Sequence, residues 1–367
     1  MSPPVVDVDI FIAGGGAAGL TLASRMALNG YRVAVASSSI AATAISTGRV
    51  LFNHDDPAVA EWASLFLTRF RSRESNYDLL ERPTVAMTNI GTPLKQSLTN
   101  SSFDWTLEDR DVAVVGVIGN NDLDSNLTCL ELRRSLGICA RPLWISPFPY
   151  PTAANNHFVG ELADILKDNI SENTIVLPPI SSDPTYALLT KLQNLSGKRV
   201  VEAATPLSLP GLRFQLLLED VAEEVGVRLL KDRRLISIKI HGKEANEAVL
   251  SSGMRTIIVK FSALVLATGN LASGGLAVNG RGVIDPLNIF RVSSTQASGI
   301  HSSTLRNALS SGLDTCKGRA ITKQGVVIRN VIPIGSLLKG VSYPLGYGLG
   351  EVMLEAWKSA PIVEDAL

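Results

Sequence analysis

Strand-length apolar runs alternate with helical segments at both ends of the chain. Asp9–Ala13 and Arg32–Ala36 are apolar runs, and a helical stretch, Leu20–Asn29, lies between them. In the last third, the spacing predicts a helix within Pro206–Gly226, followed by strands at Val227–Leu230, Leu235–Ile240, Arg255–Phe261 and Ser262–Thr268. Short buried runs that alternate with helices predict an α/β fold with a parallel sheet.

The middle of the chain shows the same pattern less regularly. Pro57–Arg71 has helical spacing, and Asp111–Gly119 is a near-continuous apolar strand followed by an amphipathic helix, Asp124–Leu136. Residues 141–158 are rich in proline and aromatic side chains and are predicted to form an ordered loop.

These patterns predict one domain built from both ends of the chain. We expect a Rossmann-type domain, a parallel sheet with helices on both faces, formed by residues 1–85 and 205–367. Residues 86–204 are predicted to form an inserted α/β cap domain that contacts a substrate or a partner.

Six small residues join the first strand to the first helix: Gly14-Gly15-Gly16-Ala17-Ala18-Gly19. Between a strand and a helix, this spacing predicts a phosphate site, because the glycines allow a tight turn and close approach of a ligand to the backbone. The phosphate would meet the N–H groups and the positive end of the helix. A unit with small residues for packing and no nucleotide is the alternative. The predicted contact residues are Gly14, Gly16, Ala17, Ala18 and Gly19.

The end of the second strand departs from the usual dinucleotide pattern. Dinucleotide folds carry an acidic residue there, which binds a ribose diol, whereas this chain has Ser37. A serine hydroxyl also bonds a ribose hydroxyl, so both a mononucleotide and a dinucleotide remain open at this point.

The composition narrows the classes of function. Lys and Arg together number 34, as do Asp and Glu, so the net charge does not indicate binding to nucleic acid or to an anionic membrane. Three cysteines, Cys129, Cys139 and Cys316, form no CxxC motif, and we expect reduced thiols and no metal site. No apolar stretch reaches the roughly 18 residues of a membrane-spanning helix, and no signal peptide is predicted.

Two later segments resemble those of flavoprotein dehydrogenases. One strand ends in Ala267-Thr268-Gly269, and Asn330–Ser336 is followed by Gly346–Gly350, which begins a helix through Trp357. In flavoproteins of this type, the first segment lies beside the nucleotide and the second beside the ribityl chain. The resemblance implies that flavin is bound by Thr268, Gly269, Gly335, Ser336 and Gly348.

More closely, the chain resembles the smaller flavoprotein subunit of anaerobic glycerol-3-phosphate dehydrogenase. The most specific segment contains Ser273-Gly274-Gly275-Leu276, followed by Gly282 and Asp285-Pro286. The similarity covers most of the chain and runs through Ile12–Leu20, Ile45–Gly48, Gly91–Leu94, Val112–Gly119 and Val265–Gly282.

This resemblance implies a place in a complex of three subunits. In that family, the smaller flavoprotein subunit carries FMN, a larger catalytic subunit carries FAD, and an iron–sulfur subunit anchors the pair to the membrane and passes electrons to quinone. The complex oxidises sn-glycerol 3-phosphate to dihydroxyacetone phosphate. We therefore expect a cytoplasmic flavoprotein, peripheral to the membrane through a partner, whose flavin relays electrons. Ser37 fits FMN, which has no adenosine ribose, and FMN is favoured over FAD.

Ser46, Thr47 and Gly48 are further candidates for contact with the flavin ring or its phosphate. The alternative is a turn at the start of a helix, where Ser and Thr are common.

A catalytic base is not marked by any motif. Oxidation of a secondary alcohol needs a base at the hydroxyl and cations for a phosphate. His54 and His301 are the candidate bases, and Arg49, Arg281 and Arg291 are either phosphate ligands or partners in salt bridges. Two other classes stay open: a stand-alone FAD oxidoreductase of the fumarate reductase or succinate dehydrogenase superfamily, and a flavin-free scaffold subunit.

Overall fold

The chain forms two compact units. The first consists of Met1–Ala42 and Leu218–Leu367, and the second of Thr43–Leu217. The computed structural model describes residues 3–100, 102–106, 110–119, 122–146, 156–204, 209–280, 282–293, 310–338 and 348–367.

Helices occur in both units. They are α1 (Ala17–Leu28), α2 (Ala58–Arg71), α3 (Ser125–Leu136), α4 (Asn156–Asn169), α5 (Ala187–Ser196), α6 (Leu209–Glu224), α7 (Gly348–Lys358) and α8 (Ala360–Glu364), and a 3-10 turn covers Gly335–Leu337.

Strands of the first unit come from both ends of the chain. They are β1 (Val5–Asp7), β2 (Ile10–Ala13), β3 (Val33–Ala36), β10 (Arg228–Leu230), β11 (Arg234–His241), β12 (Glu244–Ser252), β13 (Arg255–Lys260), β14 (Ala263–Leu266), β15 (Ala277–Asn279), β16 (Gly282–Ile284), β17 (Val292–Ser293), β18 (Gly312–Leu313), β19 (Thr315–Cys316), β20 (Arg319–Ala320) and β21 (Val331–Pro333). Those of the second unit are β4 (Asp78–Met87), β5 (Pro93–Thr99), β6 (Val112–Val117), β7 (Ala140–Ile145), β8 (Thr174–Leu177) and β9 (Arg199–Glu202).

The central sheet of the first unit has five parallel strands in the order β10-β3-β2-β14-β21. Counted along the chain within this sheet, the order is 3-2-1-4-5, which is the strand order of the Rossmann fold. Every residue of β2, β3 and β14 is buried, as expected for parallel strands covered on both faces. The predicted α/β fold with a Rossmann-type domain is confirmed.

A second sheet of the first unit has the order β1-β13-β12-β11. β11, β12 and β13 form an antiparallel meander, and β1 pairs in parallel with β13. One face of this sheet contributes Ala248, Leu250 and Val259 to the core. Asn330, directly before β21, is bound to the meander through its side-chain amide. Its Nδ2 donates to the carbonyl oxygens of Ala245 in β12 and of Ser262, each at 2.6 Å.

The second unit contains a parallel sheet with the order β7-β6-β8-β9 and an antiparallel hairpin of β4 and β5. Ala140–Ile145 forms the edge strand β7, so the prediction of a loop from residue 141 was wrong for this part. Pro142 lacks an N–H group, which suggests a loop in the sequence but is tolerated at a sheet edge.

The units divide at residues 42 and 218, not at the predicted residues 85 and 205. Within the second unit, the segment after Thr43 packs closely on the start of α6. A Cβ on Gly211 would lie 2.3 Å from the Ser46 carbonyl oxygen, and a Cβ on Gly48 would lie 2.6 Å from that of Pro210. Both segments join residues 86–204, because Arg49 forms a salt bridge with Asp104 and Arg213 forms one with Glu202. These contacts account for the different boundary.

The part of the chain that the structure describes has no helix long and apolar enough to cross a membrane. Within those same residues, no group of three or more His, Cys, Asp and Glu side chains is placed to hold a metal ion.

Candidate functional site

The glycine turn after β2 is packed so tightly that two of its positions exclude any side chain. Gly14 has a φ of +123°, and a Cβ there would lie 2.1 Å from the carbonyl oxygen of Ala267 at the end of β14. A Cβ on Gly19 would lie 2.0 Å from the carbonyl oxygen of Gly14. The turn therefore brings β2, β14 and the first turn of α1 together at the carboxyl edge of the parallel sheet, where ligands bind in open α/β folds.

The start of α1 suits an anion. Gly16 is the N-cap residue and offers no side chain to the first N–H groups of the helix, and the first turn contains no acidic residue. Gly14, Gly16 and Ala18 are half-buried, whereas their neighbours Gly15 and Ala17 are buried. The positive end of the helix is thus partly accessible, as a phosphate group needs.

Ser37 lies beside this turn. Its backbone N–H donates to Leu230 at 3.2 Å, and its carbonyl oxygen accepts from Arg233 at 2.8 Å, which fixes the chain at the end of β3. A Cβ on Gly15 would lie 3.1 Å from the Ser37 Cβ. The serine is therefore placed where the acidic residue of dinucleotide folds lies, next to the glycine turn.

The loop after β14 folds back on its own backbone around Gly269. Gly269 has a φ of +82°, and a Cβ on Gly275 would lie 1.9 Å from the Gly269 carbonyl oxygen. The Asn270 Oδ1 holds the loop by accepting from the Ala272 N–H at 3.0 Å and from the Ser273 Oγ at 3.1 Å. The loop Asn270–Gly275 is therefore a compact turn that packs against the backbone of Thr268 and Gly269.

The 3-10 turn after β21 reaches the same place. Gly335 has a φ of +65°, and a Cβ there would lie 2.8 Å from the Cβ of Ala18 in the first turn of α1. The Ser336 Oγ lies 3.4 Å from the position of a Cβ on Gly269. The structure thus brings together the glycine turn, Thr268-Gly269 and Gly335-Ser336, although they are far apart in the sequence.

Glu355 on α7 supports this arrangement and was not identified from the sequence. Its Oε2 accepts a hydrogen bond from the Gly335 N–H at 2.6 Å, and its Oε1 accepts from the Ser359 Oγ at 3.2 Å. Burial raises the pKa of this carboxyl group, and the hydrogen bonds from Gly335 and Ser359 oppose that rise. A charged residue between the buried Leu354 and Ala356 was the available signal. Gly348 begins the same helix.

These residues fit the phosphate-bearing part of a flavin nucleotide. The turn offers bare backbone and a helix end to phosphate oxygens, and the Thr268, Ser336 and Ser37 side chains offer hydroxyl groups. A flavin bound there would supply hydride or electron transfer, while the chain would bind and orient it.

Ser46, Thr47 and Gly48 belong to the second unit, where the two hydroxyls hold local turns. The Ser46 Oγ donates to the Thr43 carbonyl oxygen at 2.6 Å and accepts from the Gly48 N–H at 3.1 Å. The Thr47 Oγ1 accepts from the Arg49 N–H at 3.3 Å. These are local turns and not the start of a helix, because α2 begins only at Ala58. Contact of Ser46, Thr47 and Gly48 with flavin stays a prediction.

The candidate bases are not brought together by the described structure. His54 is half-buried in the second unit, and its buried Nε2 has no hydrogen-bond partner among the described residues. His301 and Arg281 lie outside the described residues, so their predicted roles stay predictions.

The two described candidate phosphate arginines are both in ion pairs. Arg49 is 6% exposed and forms a salt bridge with the buried Asp104. Arg291 forms a more exposed pair with Asp314 at 2.6 Å. Both observations favour the salt-bridge alternative over binding of a phosphate.

Arg49 belongs to a buried charge cluster of the second unit, which also contains Asp104, Glu202, Arg213, Tyr77 and Tyr186. Arg213 donates to Glu202 at 2.8 and 3.2 Å and lies 4.0 Å above the Tyr186 ring. Burial raises the pKa of both tyrosines, and the carboxylates hold the pKa of both arginines above its ordinary value against the opposing effect of burial. The two arginines and the two carboxylates therefore balance in charge within a buried cluster, although the Nε atoms of Arg49 and Arg213 have no hydrogen-bond partner among the described residues.

A family model matches a limited part of the chain, which includes the glycine turn and the start of the second unit. Residues 9–67 match the model of a family described as an FAD binding domain. No curated protein sequence matches the chain. The match supports a flavin cofactor, specifically FAD, and does not support the preference for FMN, which rested on the family resemblance.

Solved structures resemble the chain only distantly. A 3-ketosteroid-Δ4-(5α)-dehydrogenase from Rhodococcus jostii is 12% identical, with 100% of both chains covered and a TM-score of 0.42. The FrdA chain of E. coli quinol fumarate reductase is 10% identical, with 99% of this chain and 71% of that chain covered and a TM-score of 0.44. At these scores the likenesses carry no argument about function.

Proposed function

We propose that the chain is a flavin-dependent oxidoreductase that binds FAD at the carboxyl edge of its Rossmann sheet. The observation that carries this proposal is the convergence of the Gly14–Gly19 turn, Thr268-Gly269 and Gly335-Ser336 around one helix end. The match of residues 9–67, which contain this turn, to an FAD binding domain also supports it.

The cofactor is identified by releasing it. The purified chain is expected to show the absorption bands of an oxidised flavin, and heat denaturation is expected to release a compound with the mass of FAD. Release of FMN would overturn the choice of FAD. A chain that stays colourless after incubation with both flavins would overturn flavin binding altogether and favour a scaffold role.

Within this class, we propose that the chain acts as the smaller flavoprotein subunit of a membrane-associated glycerol-3-phosphate dehydrogenase. In this role it relays electrons from an FAD-bearing catalytic subunit to an iron–sulfur, membrane-anchoring subunit and quinone. The resemblance through Val265–Gly282 and Ile12–Leu20 supports this role. The described residues of the first unit include one histidine, His241 on the exposed end of β11, which also favours a relay over hydride abstraction.

The relay is tested with glycerol 3-phosphate and an artificial electron acceptor. The flavin-loaded chain alone is expected not to reduce the dye, and addition of the FAD-bearing catalytic subunit is expected to restore reduction. Rapid turnover by the chain alone would contradict the relay. It would favour a stand-alone FAD oxidoreductase, the alternative that the FAD family match supports.

A further inference from the structure

The outer face of the four-stranded meander carries an ordered pattern that the proposed function does not use. Along β1 and most of β12, buried residues alternate with more exposed ones, so that one face of the sheet enters the core and the other faces solvent. On the outer face, Val5 pairs with Ile258, Ile258 with Val249, and Val249 with Ser237 beside the bulged residue Ile236. Val5 and Ile236 are 56% and 47% exposed. These residues form an apolar row across all four strands.

A row of alternating charges runs next to the apolar row. Asp7 pairs with Lys260, Lys260 with Glu247, and Glu247 with Lys239. Across the sheet, the charges therefore read negative, positive, negative and positive. In each strand, the residue of the charged row lies two positions from a residue of the first row: in β1, for example, Asp7 lies two positions from Val5, and in β11 Lys239 lies two positions from Ser237. Side chains two positions apart point to the same face of a sheet, so both rows lie on the outer face.

When this order of charges is reversed, every position carries the opposite sign, so the row is complementary to a reversed copy of itself. If a second copy faces the first across a two-fold axis parallel to the strands, the strand directions stay aligned and the order across the sheet is reversed. Asp7 then faces Lys239 of the second copy, and Lys260 faces Glu247 of the second copy. The apolar row faces the apolar row. Aligned packing of two sheets is one of the usual arrangements, and a two-fold contact requires a self-complementary patch.

We propose that the outer face of the meander is the contact between two copies of this chain, related by that two-fold axis. Four strands at about 4.8 Å spacing give a row about 14 Å long, so the buried area falls in the weak or transient class of interfaces. The dimer is therefore concentration-dependent and weakens at high salt, because its charge pairs lie at the rim of the contact.

Sedimentation velocity over a wide range of concentration tests this contact. Lys260→Glu places a carboxylate opposite Glu247 of the second copy, and Glu247→Lys places two lysines opposite each other. Each variant alone is expected to raise the dimer dissociation constant at least about tenfold, because like charges meet twice across the axis. Lys167→Glu on α4 makes the same change of charge in the other unit and is expected to dimerise like the wild type.

The decisive sample is an equal mixture of the Lys260→Glu and Glu247→Lys chains. In the mixed dimer, one chain has glutamate and the other lysine at both positions, so both contacts across the axis pair opposite charges. Dimer formation is therefore expected to return towards the wild-type level. The Lys260–Glu247 pair is chosen because Asp7 also lies 3.4 Å from Arg32 in its own chain. Misfolding of either variant does not produce mutual rescue, and thermal unfolding of each chain alone checks its fold.

Val249→Arg provides a second variant in the centre of the apolar row and is expected to abolish the dimer without entering the core. A wild-type chain that stays monomeric at every concentration would overturn the proposal. So would folded variants that dimerise as the wild type does, or a mixture of folded variants that stays monomeric, because each result assigns self-association to another surface or to none.

Discussion

The glycine turn of the first unit and the buried charge cluster of the second show two different ways of organising polar chemistry. At the turn, backbone N–H groups and a helix end provide the polar groups. Side chains are excluded, because a Cβ added at Gly14 would lie only 2.1 Å from a carbonyl oxygen. In the cluster, the polar groups are side chains, and Arg213 and Glu202 are 1% and 2% exposed. The first arrangement stays partly open for a ligand, whereas the second closes on itself.

The difference teaches how each region tolerates change. A backbone site depends on the absence of atoms, so adding one methyl group damages it. A closed ion-pair cluster depends on matched charges, so removing one partner leaves the other buried and unpaired, while removing both costs much less. The predictions below test this contrast, from the largest expected effect to the smallest.

Arg213→Met is expected to lower the free energy of unfolding by about 3–5 kcal/mol, because Glu202 stays buried without its partner. The double variant Arg213→Met/Glu202→Leu is expected to recover more than half of that loss. Urea unfolding measures both. Arg291→Met, which breaks the more exposed pair with Asp314, serves as the control and is expected to cost less than about 1 kcal/mol. Equal losses for Arg213→Met and Arg291→Met would contradict the distinction.

Gly14→Ala is expected to cost about 3 kcal/mol or more, because its Cβ would enter the Ala267 carbonyl group and its φ is +123°. Gly30→Ala is the matched control, since Gly30 also has a positive φ, +92°, but no atom lies within 4 Å of its Cβ. We expect about 1 kcal/mol for that strain alone. Flavin content after purification should fall for Gly14→Ala and stay unchanged for Gly30→Ala. Similar losses in both variants would show that close packing of the turn is not what matters.

Glu355→Ala is expected to cost about 1–3 kcal/mol, because the Gly335 N–H loses its acceptor. Glu355→Gln keeps an acceptor and removes the charge. Since burial raises the pKa of Glu355 above 4.5, the folded state holds the proton more tightly, and this group's contribution to stability falls as pH rises above 4.5. Unfolding curves from pH 4 to pH 8 should therefore shift in favour of Glu355→Gln as pH rises. A constant difference would show that the carboxyl group is not desolvated.

Glu172 should show the opposite pH dependence with a smaller amplitude. The hydrogen bonds from Arg141 lower the pKa of Glu172 from 4.5 to about 2, so the pair stabilises the fold above pH 4.5 and this contribution is lost as pH falls towards 2. Because Arg141 is partly exposed, Glu172→Gln is expected to cost only about 1 kcal/mol at pH 7. The same unfolding series measures it. A difference that persists unchanged at the lowest pH would contradict the ion-pair explanation.

The sequence predicted the parts of the first unit that depend on local spacing. Each of these features lies within a short stretch of sequence: the apolar runs of β2, β3 and β14 and the small residues of the glycine turn. Their strand–turn–helix order is sufficient to predict a nucleotide-type unit. The resemblance to flavoproteins added Thr268-Gly269 and Gly335-Ser336, which the structure places beside the turn.

The second unit was harder because its important contacts join distant residues. Arg49 and Asp104 are 55 positions apart, and each alone has the appearance of a surface charge in the sequence. Because of Pro142, the edge strand β7 was predicted as a loop, and no strand was predicted between Ile240 and Arg255, where β12 lies. Glu355 was missed for a related reason, since its hydrogen bond to Gly335 exists only after α7 packs behind the 3-10 turn.

The 3-2-1-4-5 strand order also determines when, during synthesis, each strand of the sheet can pair with its neighbours. β2 and β3 leave the ribosome together, but β14, the other neighbour of β2, follows about 230 residues later, which takes roughly 10–50 s at ordinary translation rates. During that interval the second unit is made in full, while one edge of β2 has no strand to pair with. A nascent chain arrested before residue 263 should therefore contain a folded second unit and an apolar, chaperone-dependent N-terminal segment. The glycine turn should form among the last structures of the protein.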